Sequence, residues 1–170
     1  IRLSADIVAR HAIAANRVLA HSDIAPARKA DPGELVPWNQ LAAAGGGAWV
    51  PPSPISEQAG VKGGGPEETV GGLQKRLKRL GYVINLTGCL DEQTRLVVTA
   101  FQRHWRPERV DGEADDSTSR TLDRLLSDVR KMEAAGVVAH ARTLEAQVAR
   151  DSAERIWQRA AIAHDGARGD

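Results

Sequence analysis

The sequence predicts a short α/β segment, followed by an all-α domain of three helices and then a helical tail. A helical pattern and a strand-like run open the chain, and three apolar stripes with helical spacing lie between residues 68 and 130. Between them, residues 51–67 are rich in proline and glycine, which is typical of an interdomain linker. We therefore divide the chain into residues 1–50, 51–67, 68–130 and 131–170.

The composition excludes some classes of function. Apolar residues make up 42% and charged residues 26% of the 170 residues, and the net charge of +1 favours neither nucleic acid nor an anionic membrane. A single cysteine cannot form an internal disulfide, and no apolar run approaches the length of a membrane span. No signal peptide is visible, but the chain opens at Ile1 inside an amphipathic pattern. We therefore expect an N-terminal part before Ile1, in which case the absence of a visible signal peptide says nothing about export.

The first segment alternates between regular and turn-rich stretches. Residues 3–15 predict a helix with Leu3 and Ile7 on one face, and residues 17–21 predict a short buried strand. Residues 22–37 hold many turn residues and predict an ordered loop. Residues 38–44 predict a short helix that the glycines 45–47 stop.

The second segment shows three helical stripes. They are Val70, Leu73, Leu77 and Leu80; Leu90, Val97, Phe101 and Trp105; and Leu122, Leu125, Leu126 and Val129. The pattern G-x-x-D-x-x-T occurs at residues 88–94 and again at 112–118. Glycine permits the turn and aspartate caps the first helical turn, so each copy predicts the start of a helix. Residues 131–170 predict a solvent-exposed helix that frays from about His164.

His21 and Asp31 are the strongest candidates for chemistry. His21 ends the predicted strand, and Asp31 follows ten residues later in a loop that can fold back onto it. One nitrogen and one oxygen donor suit catalytic zinc, and Lys29, two residues before Asp31, could stabilise an oxyanion. A His and an Asp at this spacing are more often a surface pair joined by a hydrogen bond. Both interpretations stay open on spacing alone.

The stretch from His21 to Trp38, H-S-D-I-A-P-A-R-K-A-D-P-G-E-L-V-P-W, resembles the end of the catalytic domain of zinc N-acetylmuramoyl-L-alanine amidases of the type-2 family. The resemblance implies that His21 and Asp31 are two of three zinc ligands and that Lys29 stabilises the transition state. Ala27 stands where glycine is usual, and residues 34–36 differ from the family pattern. The third ligand, a histidine, and the catalytic glutamate lie upstream in that family, so we expect this chain to be catalytically incomplete. His11 lies on the apolar face of the first predicted helix, where the family has no ligand, so we expect a packed or half-exposed histidine there rather than a replacement for the missing ligand.

Residues 68–130 resemble a three-helix peptidoglycan-binding domain, through the order L-Q-x-x-L-x-x-L-G-Y, F-Q-x-H and D-G-x-x-D-x-x-T. Tyr82, Gln102 and Trp105 are candidate contacts for sugar or peptide, with ordinary packing as the alternative for each. The basic residues Lys75, Arg76, Lys78 and Arg79 predict a solvated helix face, with weak attraction to an anionic wall polymer as the alternative.

The two resemblances agree on one substrate and leave three hypotheses. The first is a zinc amidase that cuts between N-acetylmuramic acid and L-alanine of peptidoglycan. The second is a wall-targeting module without catalysis, and the third is a wall-binding regulator whose tail contacts a partner. A wall-binding domain favours the cell envelope or periplasm over the cytoplasm.

Overall fold

The computed structural model describes residues 1–55 and 69–134. In these ranges the chain forms helices and no strand. The helices are α1 (Arg2–Arg10), α2 (His21–Ile24), α3 (Trp38–Ala43), α4 (Val70–Leu80), α5 (Glu92–Trp105) and α6 (Asp116–Ala134), with a 3-10 turn at Ala15–Arg17. None of these helices has both the length and the apolar character that a membrane span requires.

The strand predicted at residues 17–21 is wrong. The 3-10 turn ends at Arg17 and α2 begins at His21. The carboxylate of Asp23, the third residue of α2, accepts a hydrogen bond from the Ala20 backbone N–H at 2.8 Å, so Ala20 is the N-cap of a helix. The described residues therefore do not form the α/β arrangement that the sequence predicts for the first segment. The first helix is also shorter than predicted, because Ala12 adopts a positive φ of 49°.

The three predicted helices of the second segment are confirmed. Helices α4, α5 and α6, here called the helical domain, surround a core in which Leu73, Leu77, Phe101 and Leu122 are completely buried. Val50 of the first segment belongs to the same core, and Trp49 packs against it. A second, smaller cluster contains Ala20, Trp38 and Leu41, and Trp49 packs against that one too.

The repeated G-x-x-D-x-x-T pattern caps two helices as predicted. Asp91 accepts a hydrogen bond from the Thr94 N–H at 2.8 Å at the start of α5. Asp115 accepts one from the Thr118 N–H at 2.7 Å at the start of α6. Gly88 and Gly112 both have a φ of 73°, in the region that favours glycine.

Residues 1–131 form one compact unit. The stretch predicted as a linker, residues 51–67, lies partly within it: the Ser53 N–H donates to Thr121 Oγ1 at 3.0 Å, and Arg124 donates to the Pro51 carbonyl at 3.2 Å. Residues 56–68 lie outside the described part of the chain. The predicted tail of residues 131–170 does too, apart from residues 131–134 at the end of α6. The boundaries at 50, 67 and 130 therefore stay predictions.

Candidate active site

His21 and Asp31 meet, as the folded-back loop predicted. His21 is the first residue of α2, and its Nδ1 lies 2.5 Å from Asp31 Oδ2. The Ser22 N–H donates to the Asp31 carbonyl at 3.1 Å, which ties the far end of the loop to the same helical turn. Both side chains are open to solvent, with exposed fractions of 73% and 56%. The pair is therefore held together by backbone contacts and remains accessible.

The neighbours of Asp31 lower its pKa. The hydrogen bond from His21 holds the pKa of Asp31 below its ordinary value of 3.8, and the nearby Lys29 cation acts in the same direction. Lys29 is exposed, and its backbone N–H donates to the Ala25 carbonyl at 3.0 Å, which closes a turn between the two candidate ligands. The site thus presents an imidazole, a carboxylate and a cation on one short loop.

These residues fit part of a zinc site. An imidazole nitrogen and a carboxylate oxygen that converge on one accessible point are donors that zinc accepts, and solvent access leaves room for further ligands. Within residues 1–55 and 69–134, no cluster of three or more His, Cys, Asp or Glu could hold a metal. The described residues therefore offer two donors, whereas catalytic zinc sites have three protein ligands.

Behind the pair lies a buried polar cluster that sequence reasoning missed. Asp23, two residues after His21, is buried and accepts hydrogen bonds from the Tyr82 hydroxyl at 2.7 Å and from His104 Nδ1 at 2.7 Å. His104 stacks between Trp38 and Trp105, with ring centroids 3.9 and 4.0 Å away. His104 is the last residue of the F-Q-x-H pattern, but the pattern did not show its partner, because the contact spans 81 residues of chain.

The three predicted ligand-contact residues of the helical domain are buried. Tyr82 is 6%, Trp105 5% and Gln102 0% exposed. The Tyr82 hydroxyl donates to Asp23, and Trp105 lies in the hydrophobic core. Their contact with a sugar or peptide stays a prediction, and their burial does not favour it.

Gln102 has a structural counterpart that explains its burial. Its Oε1 accepts hydrogen bonds from the Asp111 and Gly112 N–H groups, at 3.0 and 2.8 Å. In the first copy of the repeat, Gln74 Oε1 accepts one from the Gly88 N–H at 2.9 Å. Each glutamine therefore holds one G-x-x-D-x-x-T turn. The sequence marks these two glutamines by the pairs Leu73-Gln74 and Phe101-Gln102, one before each copy of the pattern.

The basic cluster of α4 forms one side of a groove. Lys75, Arg76 and Arg79 line it with Arg130 of α6, around a cavity of about 370 Å³. One carboxylate faces them, that of Asp123, which accepts a hydrogen bond from Arg76 at 2.8 Å. We call this set of residues the basic groove.

Comparisons with known proteins agree with both resemblances found in the sequence. Residues 66–122 match the family described as "Putative peptidoglycan binding domain". The chain is 43% identical over 127 residues to the N-acetylmuramoyl-L-alanine amidase AmiD of Escherichia coli (strain K12), which covers 74% of this chain and 45% of that protein.

Solved structures give the same result. The E. coli AmiD complex with anhydro-N-acetylmuramic acid-L-Ala-D-γ-Glu-L-Lys superposes with a TM-score of 0.62 at 37% identity, covering 75% of this chain and 49% of that one. Pseudomonas aeruginosa AmpDh3 in complex with anhydromuramic pentapeptide gives a TM-score of 0.57 at 32% identity, covering 71% and 48%. The chain thus spans about half the length of the relatives that it matches.

Proposed function

We propose, from its relationship to the N-acetylmuramoyl-L-alanine amidases, that this chain supplies part of the active site of such an enzyme together with a wall-binding domain. The reaction is hydrolysis of the amide between the lactyl group of N-acetylmuramic acid and L-alanine of the stem peptide. One observation carries the proposal: His21 Nδ1 and Asp31 Oδ2 meet at 2.5 Å at an accessible point, within the stretch that resembles the end of the amidase catalytic domain.

In this proposal His21 and Asp31 are two zinc ligands. Zinc, when bound, supplies Lewis-acid polarisation of the scissile carbonyl and lowers the pKa of a bound water. Asp31 is ionised at neutral pH, the form that binds a metal, and its lowered pKa keeps it ionised under more acidic conditions as well. The third ligand and the general base come from elsewhere in the full-length protein, where the first segment completes an α/β catalytic domain. The 170-residue chain alone would then bind zinc weakly and have no amidase activity.

Lys29 is the proposed electrostatic catalyst. It is exposed, lies on the loop between the two ligands, and lowers the pKa of Asp31 by its charge. An ammonium group at this position could stabilise the negative charge that develops on the carbonyl oxygen, and removal of one such donor typically costs a factor of about 100 to 1,000 in turnover.

The helical domain directs this chemistry to the wall. Because a domain that binds peptidoglycan is useful only where intact wall is present, we place the protein in the cell envelope or periplasm. The basic groove is the proposed contact surface, because its four cations outnumber its one carboxylate and the stem peptides of the wall carry carboxylates.

The alternative is a wall-targeting module in which the His21–Asp31 pair is inert. The fit between these residues and zinc ligation favours the enzyme, but the described residues have only two of three donors.

The experiment is a product assay on the full-length protein with peptidoglycan. We expect release of stem peptides that begin with a free L-alanine amine, and a fall of about 100-fold or more in turnover for Lys29→Ala, with little change in zinc content. Arg28→Ala, one residue earlier on the same exposed loop, is the control and should remain close to wild type. Absence of this product with zinc present would leave only the wall-targeting role.

A further inference from the structure

The buried carboxylate of Asp23 joins the stretch from His21 to Trp38, here called the candidate loop, to the helical domain. Its side chain is 4% exposed and accepts three hydrogen bonds, from the Ala20 N–H, the Tyr82 hydroxyl and His104 Nδ1. A carboxylate can only accept, so His104 carries its proton on Nδ1. Two of the three donors come from parts of the chain 59 and 81 residues away.

A buried carboxylate depends strongly on its partners. Removal of one partner of a buried charged group leaves a charge that water cannot reach, and this is among the more damaging changes in a protein interior. Burial raises the pKa of Tyr82 well above 10.0, and the negative charge of Asp23 raises it further, so the hydroxyl stays protonated and donates. His104 is fixed in turn by the Trp38 and Trp105 rings on its two faces.

Asp23 and His21 belong to one helical turn. Helix α2 has four residues, and the Ser22 N–H between these two donates to the Asp31 carbonyl. His21 and Asp31 are themselves exposed and have little packing to hold them. The position of the pair therefore depends on how firmly α2 is anchored.

The end of α5 also contacts the chain beyond Asp31. The Arg103 guanidinium lies 3.8 Å from the Glu34 carboxylate, and His104 stacks on Trp38. The last turn of α5 thus contacts the candidate loop on both sides of Asp31, at Asp23 before it and at Glu34 and Trp38 after it.

We propose that Asp23 is a positioning residue, held by Tyr82 and His104, through which the helical domain fixes the geometry of the His21–Asp31 pair. The helical domain is then part of the support of the active site as well as its anchor to the wall. For catalysis this inference rests on the proposed amidase function, but the coupling itself is a property of the chain alone.

The test compares two variants of the 170-residue chain that each remove one buried hydroxyl. Tyr82→Phe removes the donor to Asp23 and keeps the ring. Thr121→Val is the matched control. Thr121 is also buried and also ties the helical domain to the chain before it, through the Ser53 N–H, but it does not contact Asp23. Hydrogen exchange measured by NMR under native conditions separates local opening of α2 from global unfolding, for which the amide of Val98, completely buried in the middle of α5, is the reference.

We expect the Ser22 amide to exchange about tenfold faster, relative to Val98, in Tyr82→Phe, because the lost bond is to a charged group. The His21 ring signals should shift in the same variant. Thr121→Val should leave both unchanged. Unaltered Ser22 exchange in Tyr82→Phe, or equal changes in the two variants, would overturn the proposal. If Tyr82→Phe does not fold, His104→Phe removes the other donor that the helical domain gives to Asp23, keeps a ring against Trp38 and Trp105, and gives the same comparison.

A second readout uses the full-length protein and a small soluble muropeptide, which needs no wall anchor. If the helical domain only anchors, Tyr82→Phe leaves hydrolysis of this substrate unchanged, and a catalytic positioning role is excluded. We expect instead a fall in kcat of about tenfold. If Ser22 exchanges faster in Tyr82→Phe but the wild-type protein hydrolyses no muropeptide, the coupling between the helical domain and the His21–Asp31 pair stands and the amidase function is refuted.

Discussion

Gln102 distinguishes a structural role from a ligand contact more clearly than any other residue of the helical domain. Its side chain is completely buried, and its two ends hold the turn before α6. The amide oxygen accepts from the Asp111 and Gly112 N–H groups, and the amide nitrogen donates to the Glu113 carbonyl at 2.8 Å and to Thr118 Oγ1 at 3.3 Å. Gln102→Leu keeps the approximate volume and removes all of these bonds.

The expected loss follows from the burial of the partners. Gly112 is buried, so its unpaired N–H costs about 2 kcal/mol, and the partners near the surface, which regain water, cost about 0.5 kcal/mol each. The free energy of unfolding should therefore fall by about 3 to 4 kcal/mol in total. Gln74→Leu is the matched variant from the first repeat. Gly88, the turn residue whose N–H it holds, is exposed, and we expect a loss of about 1 to 2 kcal/mol.

The assay is urea unfolding followed by circular dichroism, with wall co-sedimentation of the folded protein beside it. We expect Gln102→Leu to lower the midpoint more than Gln74→Leu and to leave wall binding by the folded fraction intact. If Gln102→Leu keeps the wild-type stability and loses wall binding, Gln102 is a ligand contact and the structural role is wrong.

Three further predictions use other parts of the chain. Asp91→Ala removes the cap of α5 and should lower stability by about 1 kcal/mol, read by thermal unfolding, whereas Glu92→Ala next to it should have little effect. The pKa of Asp31 is lowered in the folded chain, so the stabilisation from its bond to His21 is present above pH 3.8 and disappears as the pH falls through the lowered value. An NMR titration of the Asp31 carboxyl should show a midpoint below 3.8, and a midpoint at or above 3.8 would contradict the prediction. Arg79→Gln should weaken wall binding and reduce its salt dependence. Arg95→Gln is the control and should do neither, because Arg95 is exposed on α5 outside the groove. Equal effects of the two changes would refute the basic groove as the contact surface.

The helical domain could be predicted from sequence because its signals are local. The stripes through Leu73, Phe101 and Leu122 repeat at helical spacing, and each Asp cap lies three residues before the amide that it accepts from. The approach of His21 to Asp31 could also be predicted from the sequence, because ten residues of turn-rich chain can return to their starting point.

The first segment was predicted less well because its structure depends on distant residues. The apolar run ending at His21 has a strand-like composition, but residues 18–20 only connect a 3-10 turn to the helical turn that begins at His21. That turn is held by Asp23 and by donors from the helical domain. Composition could not show this, since Tyr82 and His104 meet Asp23 across 59 and 81 residues. The same contacts explain why Tyr82, a candidate ligand contact with packing as the alternative, is buried.

The most direct test of the account is the zinc content of the full-length protein with and without the Asp31 carboxylate. We expect wild-type protein to retain about one zinc per chain after dialysis and Asp31→Asn to lose most of it, because an amide oxygen is a far weaker ligand than a carboxylate. Glu34→Gln, an exposed carboxylate three residues further along the same loop, is the control and should keep the metal. Zinc content and affinity unchanged in Asp31→Asn would contradict the assignment of the His21–Asp31 pair as zinc ligands.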